Sequence, residues 1–125
     1  MPKTILIVDD DDSVRELIRV VLKAYEVVEC CNGLEALEKV GAVKPDLILL
    51  DVMMPKMNGF EVIRELKANP ETEAIPILLL TARGDRSTLN RSQEEGAVAY
   101  FTKPFSPKAL ALKVDSVLAE EGGKS

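Results

Sequence analysis

The chain has no histidine, and only two of its 125 residues are cysteines. The lack of histidine excludes imidazole general-base catalysis, zinc sites with histidine ligands and phosphohistidine chemistry on this chain. Cys30 and Cys31 are adjacent, a spacing that suits neither a tetrahedral zinc site nor a disulfide framework. We therefore expect two reduced thiols in the core. Any chemistry must depend on carboxylates, hydroxyls and lysines.

Positive charge and long apolar segments are also scarce. Sixteen Lys and Arg residues stand against 21 Asp and Glu residues, which gives a formal net charge of -5. This sign is wrong for a protein that coats nucleic-acid phosphates, so we expect no direct nucleic-acid partner. The first apolar run, Thr4 to Val8, is too short for a signal-peptide core or a membrane span. We expect a cytoplasmic protein with no membrane partner.

The length and composition are typical of one globular domain. A chain of 125 residues, with 46% hydrophobic and 30% charged residues, can bury one hydrophobic core. We therefore expect a single domain over residues 1–125, with a polar tail from about Glu120 to Ser125.

Short runs rich in leucine, isoleucine and valine predict five strands. The runs are apolar throughout rather than alternating, which is typical of parallel strands covered by helices on both faces. Helix-period segments lie between them, so we predict a doubly wound α/β fold with a five-stranded parallel sheet. The predicted strands are Thr4–Val8, Val27–Cys30, Leu47–Leu50, Ile77–Leu80 and Val98–Thr102.

Capping residues mark the starts of four of the predicted helices. Ser13 with Glu16 resembles a capping box, and two asparagines stand three residues before a glutamate. The fourth helix, about Arg86 to Glu95, has Leu89 as its only strongly apolar residue, so we expect it to be loosely packed. The predicted caps are Ser13, Asn32, Asn58 and Ser106.

Side chains with useful chemistry follow four of the predicted strands. Asp9 and Asp10 follow the first strand, Asp51 the third, Thr81 the fourth and Lys103 the fifth. Ligands of open parallel sheets bind at the carboxyl ends of the strands, so we expect these side chains to converge. The three carboxylates would repel one another unless a cation neutralises them, and Mg²⁺ prefers oxygen ligands.

Together these residues form a minimal set for taking up a phosphoryl group. An aspartate can attack phosphorus to give an acyl phosphate, whose charged oxygens need a metal, an ammonium group and a hydroxyl donor around them. Taken singly, each residue also has an ordinary interpretation as a helix cap, a turn residue or a surface lysine. Their joint placement favours the binding and transfer of phosphate.

Four motifs, ILIVDDDD, PDLILLDVMMPKMNGFEV, PILLLTA and AYFTKPF, together resemble the response-regulator receiver domain of two-component signalling over nearly the whole chain. The resemblance implies a flavodoxin-like sheet with the strand order 2-1-3-4-5. It implies that Asp51 is the phosphoacceptor and that Asp9, Asp10, Asp51 and the backbone carbonyl of Met53 bind Mg²⁺.

The resemblance also implies roles for residues around the phosphoacceptor. Thr81 and Lys103 would contact the phosphoryl oxygens, and the Lys103–Pro104 peptide bond would be cis. Tyr100 stands at the position of the family's switch aromatic. We expect phosphorylation to draw Thr81 inward and Tyr100 to follow, which would change the surface of the fourth helix, the fifth strand and the last helix.

Two positions tune the lifetime of the phosphate in this family, and Met53 and Arg83 occupy them here. Neither side chain can orient water as a base, and both are bulky, so we expect slow self-dephosphorylation. Pro55 and Gly59 are expected to shape the loop after the phosphoacceptor.

The resemblance implies a signalling switch rather than a turnover enzyme. A histidine kinase or a phosphotransfer protein would supply the phosphoryl group, and a downstream protein would be the target. Val98, Ala99 and Ala109 replace acidic residues that are common at the dimer face of DNA-binding relatives. We therefore expect a single-domain regulator that is a monomer or a weak dimer.

Two other functions stay open. A haloacid-dehalogenase-like phosphatase with Asp9 as nucleophile would also use Thr81 and Lys103, but it needs a later acidic motif. The only aspartate after Lys103 is Asp115, which lies within the last predicted helix. A receiver fold that takes no phosphate and serves as an interaction module would be indicated by the loss of one of these residues, and none is missing.

Overall fold

The computed structural model describes residues 2–82 and 86–123, with side chains described as far as Glu120. Its strands form one parallel sheet of order β2-β1-β3-β4-β5, which confirms the predicted fold class and strand order. Strands and helices alternate along the chain: β1 Thr4–Val8, α1 Asp12–Val21, β2 Glu26–Cys30, α2 Gly33–Val43, β3 Leu47–Asp51, α3 Gly59–Ala68, β4 Ile77–Thr81, α4 Arg86–Glu94, β5 Ala99–Thr102 and α5 Pro107–Gly123.

The hydrophobic core lies on both faces of the sheet. Alternate side chains of a strand point to opposite faces, so Leu79 packs with residues of α2 and α3, whereas Leu78 and Leu80 pack with residues of α1 and α5. All five residues of β3 and all five of β4 are buried. This burial on both faces explains why these runs show no alternation of polar and apolar residues.

The helix caps agree with the sequence at α2, α3 and α5 but not at α1; at α5 the hydroxyl oxygen of Ser106 accepts from the N–H of Ala109 at 3.2 Å. Asn58 and Glu61 form a complete capping box at α3, and Asn32 accepts from the backbone N–H of Glu35 at α2. At α1 the cap is Asp11, whose carboxylate accepts from the N–H groups of Ser13 and Val14. The prediction of Ser13 as the cap was wrong, because α1 begins at Asp12 and Asp11, two residues before Ser13, occupies the cap position.

Helix α4 has an unusual buried residue. Leu89 is 38% exposed, whereas Ser92 is buried and its hydroxyl donates to the carbonyl of Thr88 at 2.8 Å. The bond to the preceding turn lets the serine enter the interior without an unsatisfied hydroxyl. Two contacts join α4 and its C-terminal end to α3: the guanidinium of Arg91 lies 4.4 Å from the ring centroid of Phe60, and Arg64 forms an ion pair with Glu95.

Helix α5 and the cysteines differ from the sequence expectations. The helix continues to Gly123, within the segment from Glu120 that we expected to be a tail, whereas Lys124 and Ser125 lie outside the described residues. Cys30 is buried but Cys31 is exposed, so only one of the two thiols belongs to the core. Among the residues that the structure describes, no helix is long and apolar enough to span a membrane.

Candidate functional site

The carboxyl edge of the sheet gathers the acidic side chains predicted from the sequence. Asp9 and Asp10 follow β1, and Asp51 is the last residue of β3. Each of the three offers a carboxylate oxygen, and these oxygens all lie within 4.8 Å of one another. The spacing of the central strands brings the three carboxylates together, as the sequence predicted.

Lys103 joins the two buried carboxylates of this cluster. Its Nζ lies 2.7 Å from Oδ2 of Asp9 and 3.3 Å from Oδ2 of Asp51. The remaining oxygen of each carboxylate accepts from the backbone: Oδ1 of Asp9 from the N–H of Asp11 at 2.9 Å, and Oδ1 of Asp51 from the N–H of Met53 at 3.0 Å. Both side chains are therefore fixed in orientation, yet a carboxylate oxygen can accept more than one partner.

Burial perturbs the acid–base properties of the site. Burial raises the pKa of Asp51 to about 6 and the charge of Asp9 acts in the same direction, whereas Lys103 and the N–H of Met53 oppose the rise. Burial would lower the pKa of Lys103, but its contacts with Asp9 and Asp51 outweigh this effect and raise it. The lysine therefore stays charged, and Asp51 is ionised only above about pH 6.

Thr81 and Tyr100 lie on the same face of the sheet. Thr81 is buried at the end of β4 and is paired with Thr102, while Tyr100 is paired with Leu79 two residues earlier on β4. Side chains two residues apart on a strand share a face, and so do register partners. Thr81 and Tyr100 therefore lie on the same face of neighbouring strands, two residues apart in register. Tyr100 packs against the hydrophobic cluster that contains Leu79.

The loop after β3 folds back onto the backbone of Asp51. The N–H of Gly59 donates to the carbonyl of Val52 at 2.9 Å. A Cβ atom at Gly59 would lie 2.7 Å from the carbonyl oxygen of Asp51 and 2.8 Å from Cα of Val52. Only glycine fits this close approach of two backbone segments. Met53, on the same loop, is 52% exposed.

Two further sequence expectations concern residues near the edge. The Lys103–Pro104 peptide bond is cis, the conformation that the family resemblance implies. Arg83 lies outside the described residues, so its expected influence on phosphate lifetime stays a prediction.

Arg15 adjoins the acidic cluster, and the sequence analysis did not identify it as a site residue. Its Nη1 donates to the backbone carbonyl of Asp9 at 2.5 Å. A sequence signal did exist, because an arginine in the first turn of the helix that follows Asp9 and Asp10 points back toward the end of the strand.

The residues match the family model for the response regulator receiver domain over positions 5–115. This chain belongs to that family. Among its relatives, the phosphate regulon transcriptional regulatory protein PhoB of Pseudomonas aeruginosa is 45% identical over 122 residues, covering 96% of this chain and 53% of that protein. The receiver domain spans about half the length of the curated relatives that it matches.

Solved structures share the fold of this receiver domain over almost all of its length. A response-regulator structure from Chloroflexus aurantiacus superposes with a TM-score of 0.91 at 40% identity, covering 95% of this chain and 99% of that chain. The Mn²⁺-bound form of response regulator Rcp1 superposes with a TM-score of 0.78 at 32% identity, covering 93% of this chain and 91% of that chain.

Proposed function

We propose that this receiver domain is a phosphorylation-activated switch that accepts a phosphoryl group on the carboxylate of Asp51. The observation that carries the proposal is the cluster itself: three carboxylates lie within 4.8 Å of one another, and one lysine contacts the two that are buried. Fold stability does not explain three carboxylates at one edge of a sheet, because the repulsion between like charges opposes folding.

The donor set fits a hard divalent cation. Three ionised carboxylates and one ammonium group leave a charge of two negative units, which one Mg²⁺ would neutralise. Asp9, Asp10 and Asp51 would hold the cation, together with the backbone carbonyl of Met53, and all four ligand atoms are oxygens. The Mn²⁺-bound form of Rcp1 supports a metal site in this family. When bound, the cation neutralises charge on the phosphoryl oxygens.

Asp51 is the proposed nucleophile. A carboxylate oxygen attacks the phosphorus of a phosphohistidine on a histidine kinase or a phosphotransfer protein; a new O–P bond forms as the N–P bond breaks, and the electron pair leaves on the imidazole nitrogen. Lys103, already 3.3 Å from Oδ2 of Asp51, contacts the incoming phosphoryl oxygens, and the hydroxyl of Thr81 donates to them. The chain takes up the group once per cycle and is not a turnover enzyme.

The fold offers a route from the phosphate to the surface. Thr81 and Tyr100 share a face of the sheet, so movement of the threonine hydroxyl toward the phosphate is followed by rotation of Tyr100. The surface formed by α4, β5 and α5 then changes and regulates a downstream protein. Met53 beside Asp51 limits the approach of water, which makes loss of the phosphate slow.

The context of the switch is part of the proposal. The domain works in the cytoplasm as a monomer or weak dimer that contacts neither nucleic acid nor membrane directly. Residues 1–125 make up one receiver domain. The relative PhoB is named as a transcriptional regulatory protein, and that protein is about twice as long.

Incubation with acetyl phosphate and Mg²⁺, followed by mass spectrometry, tests the function. We expect one added phosphoryl group on the wild-type protein and on Asp46→Asn, an exposed aspartate near the opposite edge of the sheet, and none on Asp51→Asn. Phosphorylation mapped to Asp9 would indicate the phosphatase alternative. A wild-type protein that takes up no phosphoryl group from either acetyl phosphate or a phosphorylated kinase would indicate an interaction module.

A further inference from the structure

Arg15 is a partly buried charged side chain beside the acidic cluster. Its side chain is 13% exposed, whereas that of Arg19, one turn later on α1, is 55% exposed. Three contacts hold the guanidinium: Nη1 donates to the carbonyl of Asp9, Nε donates to Oε1 of Glu29 at 3.2 Å, and Nη2 pairs with the carboxylate of Asp12. Its planar fork of donors suits three acceptors at once.

The carbonyl that Arg15 binds belongs to the peptide unit between Asp9 and Asp10. That unit is planar, so fixing its oxygen fixes the plane that connects the two Cα atoms. On the other side of Asp9, the N–H donates to the carbonyl of Cys30 at 3.1 Å. The backbone is therefore held on both sides of Asp9. This fixes the directions in which the side chains of Asp9 and Asp10 extend from the backbone.

Glu29 in turn fixes Arg15. Its Oε1 accepts from Nε of Arg15, and its Oε2 accepts from Nη1 of Arg19 at 2.6 Å. Glu29 on β2 thus holds Arg15 on α1, and Arg15 holds the backbone of Asp9 in the acidic cluster. Partners of this kind, one step removed from a metal, orient the ligands and affect the affinity of the site.

We propose that Arg15 is a positioning residue for the divalent cation: it holds the Asp9–Asp10 peptide so that the two carboxylates face the cation together with Asp51. The inference rests on the metal site of the proposed function. The charge of Arg15 alone would weaken cation binding, because a positive group beside a cation site repels the cation. As a positioning residue, Arg15 strengthens cation binding instead.

The sign of the effect separates the two roles. If Arg15 acted through its charge, Arg15→Gln would tighten cation binding. As a positioning residue, its loss weakens binding, by on the order of tenfold for removal of such a partner. Arg15→Lys keeps the charge but loses the fork that bridges Asp9 and Glu29, so it should also weaken binding. A residue with a purely structural role would change stability and leave the affinity of the folded protein unchanged.

Titration with Mn²⁺, following the free ion by electron paramagnetic resonance, measures the affinity directly and requires no phosphorylation. The matched control is Arg19→Gln, which removes the same charge and a contact to the same glutamate but does not reach Asp9. We expect weaker Mn²⁺ binding by Arg15→Gln and Arg15→Lys and unchanged binding by Arg19→Gln. Circular dichroism spectra establish that each variant is folded.

Each other outcome overturns the proposal. Unchanged or tighter binding by folded Arg15→Gln contradicts it while leaving the metal site intact, and so does an equal loss in Arg19→Gln. A wild-type protein that binds no Mn²⁺ removes the metal site of the proposed function and this inference with it. If Arg15→Gln does not fold, Arg15→Lys and Glu29→Gln decide by the same criterion, because each disturbs the bridge from Glu29 to Asp9.

Discussion

Asp51→Asn should make the metal-free protein more stable at neutral pH, although it removes the proposed phosphoacceptor. Asp51 is 3% exposed, and its surroundings raise its pKa from the ordinary value of 3.8 to about 6. One pKa unit corresponds to about 1.4 kcal/mol, so ionised Asp51 costs the folded state about 3 kcal/mol at pH 7. Asparagine has the same shape and no charge, and it avoids this cost.

The sign of the pH dependence follows from the same pKa values. In the unfolded chain Asp51 ionises from its ordinary value of 3.8 upward, whereas in the folded protein it stays protonated until about pH 6. Between these values Asp51 binds more protons in the folded state than in the unfolded state, so its contribution to wild-type stability falls as the pH rises. The advantage of Asp51→Asn should therefore be small near pH 4 and grow to about 3 kcal/mol at pH 7.

Urea unfolding in the presence of a chelator, followed by circular dichroism, measures this difference. Glu38→Gln, which neutralises an exposed side chain on α2, is the matched control and should show little change at any pH. Addition of Mg²⁺ should reduce the advantage, because only the wild type keeps all three carboxylates and gains stability from ligand binding. An asparagine variant less stable than wild type at pH 7, or an advantage independent of pH, would refute the reasoning.

Three further predictions concern the loop, the cap and the thiols. Gly59→Ala should lower the free energy of unfolding by about 1 to 3 kcal/mol in urea titrations, because the new Cβ meets the carbonyl of Asp51 at 2.7 Å; an unchanged midpoint would contradict this. Asn58→Ala should cost about 1 kcal/mol in the same assay through loss of the α3 cap, and a neutral effect would show that the cap is dispensable. In a thiol-reagent assay at mildly alkaline pH, only Cys31 should react in the native protein, because Cys30 is buried and burial raises its pKa to about 12; two rapidly reacting thiols before unfolding would be inconsistent with the structure.

The sequence carried most of the information about the central strands and the acidic cluster. The runs in β3 and β4 are apolar from end to end because both faces are buried, and this pattern allows few other folds. Asp9 and Asp51 could be placed together because they follow neighbouring parallel strands, where position along the chain determines position at the sheet edge.

Features that depend on tertiary contacts were not accessible in the same way. The burial of Ser92 in place of Leu89 depends on how α4 is oriented, which hydrophobicity alone does not specify in so polar a helix. The choice of Asp11 over Ser13 as a cap depends on where the backbone leaves the extended conformation. Arg15 acquires its role only when Glu29, 14 residues later, reaches it from β2.

Helix α4 stands apart from both hydrophobic clusters, and this has a consequence for the energetics of the switch. None of its nine residues, all within the described part of the chain, belongs to either cluster, so a displacement of the helix would remove no hydrophobic side chain from either of them. The contacts that such a displacement would disturb include the burial of Ser92, the packing of Arg91 on the ring of Phe60 and the ion pair between Arg64 and Glu95. A single covalent modification can shift the equilibrium between two positions of such a segment. A small chemical signal can therefore move α4 while the rest of the protein stays folded.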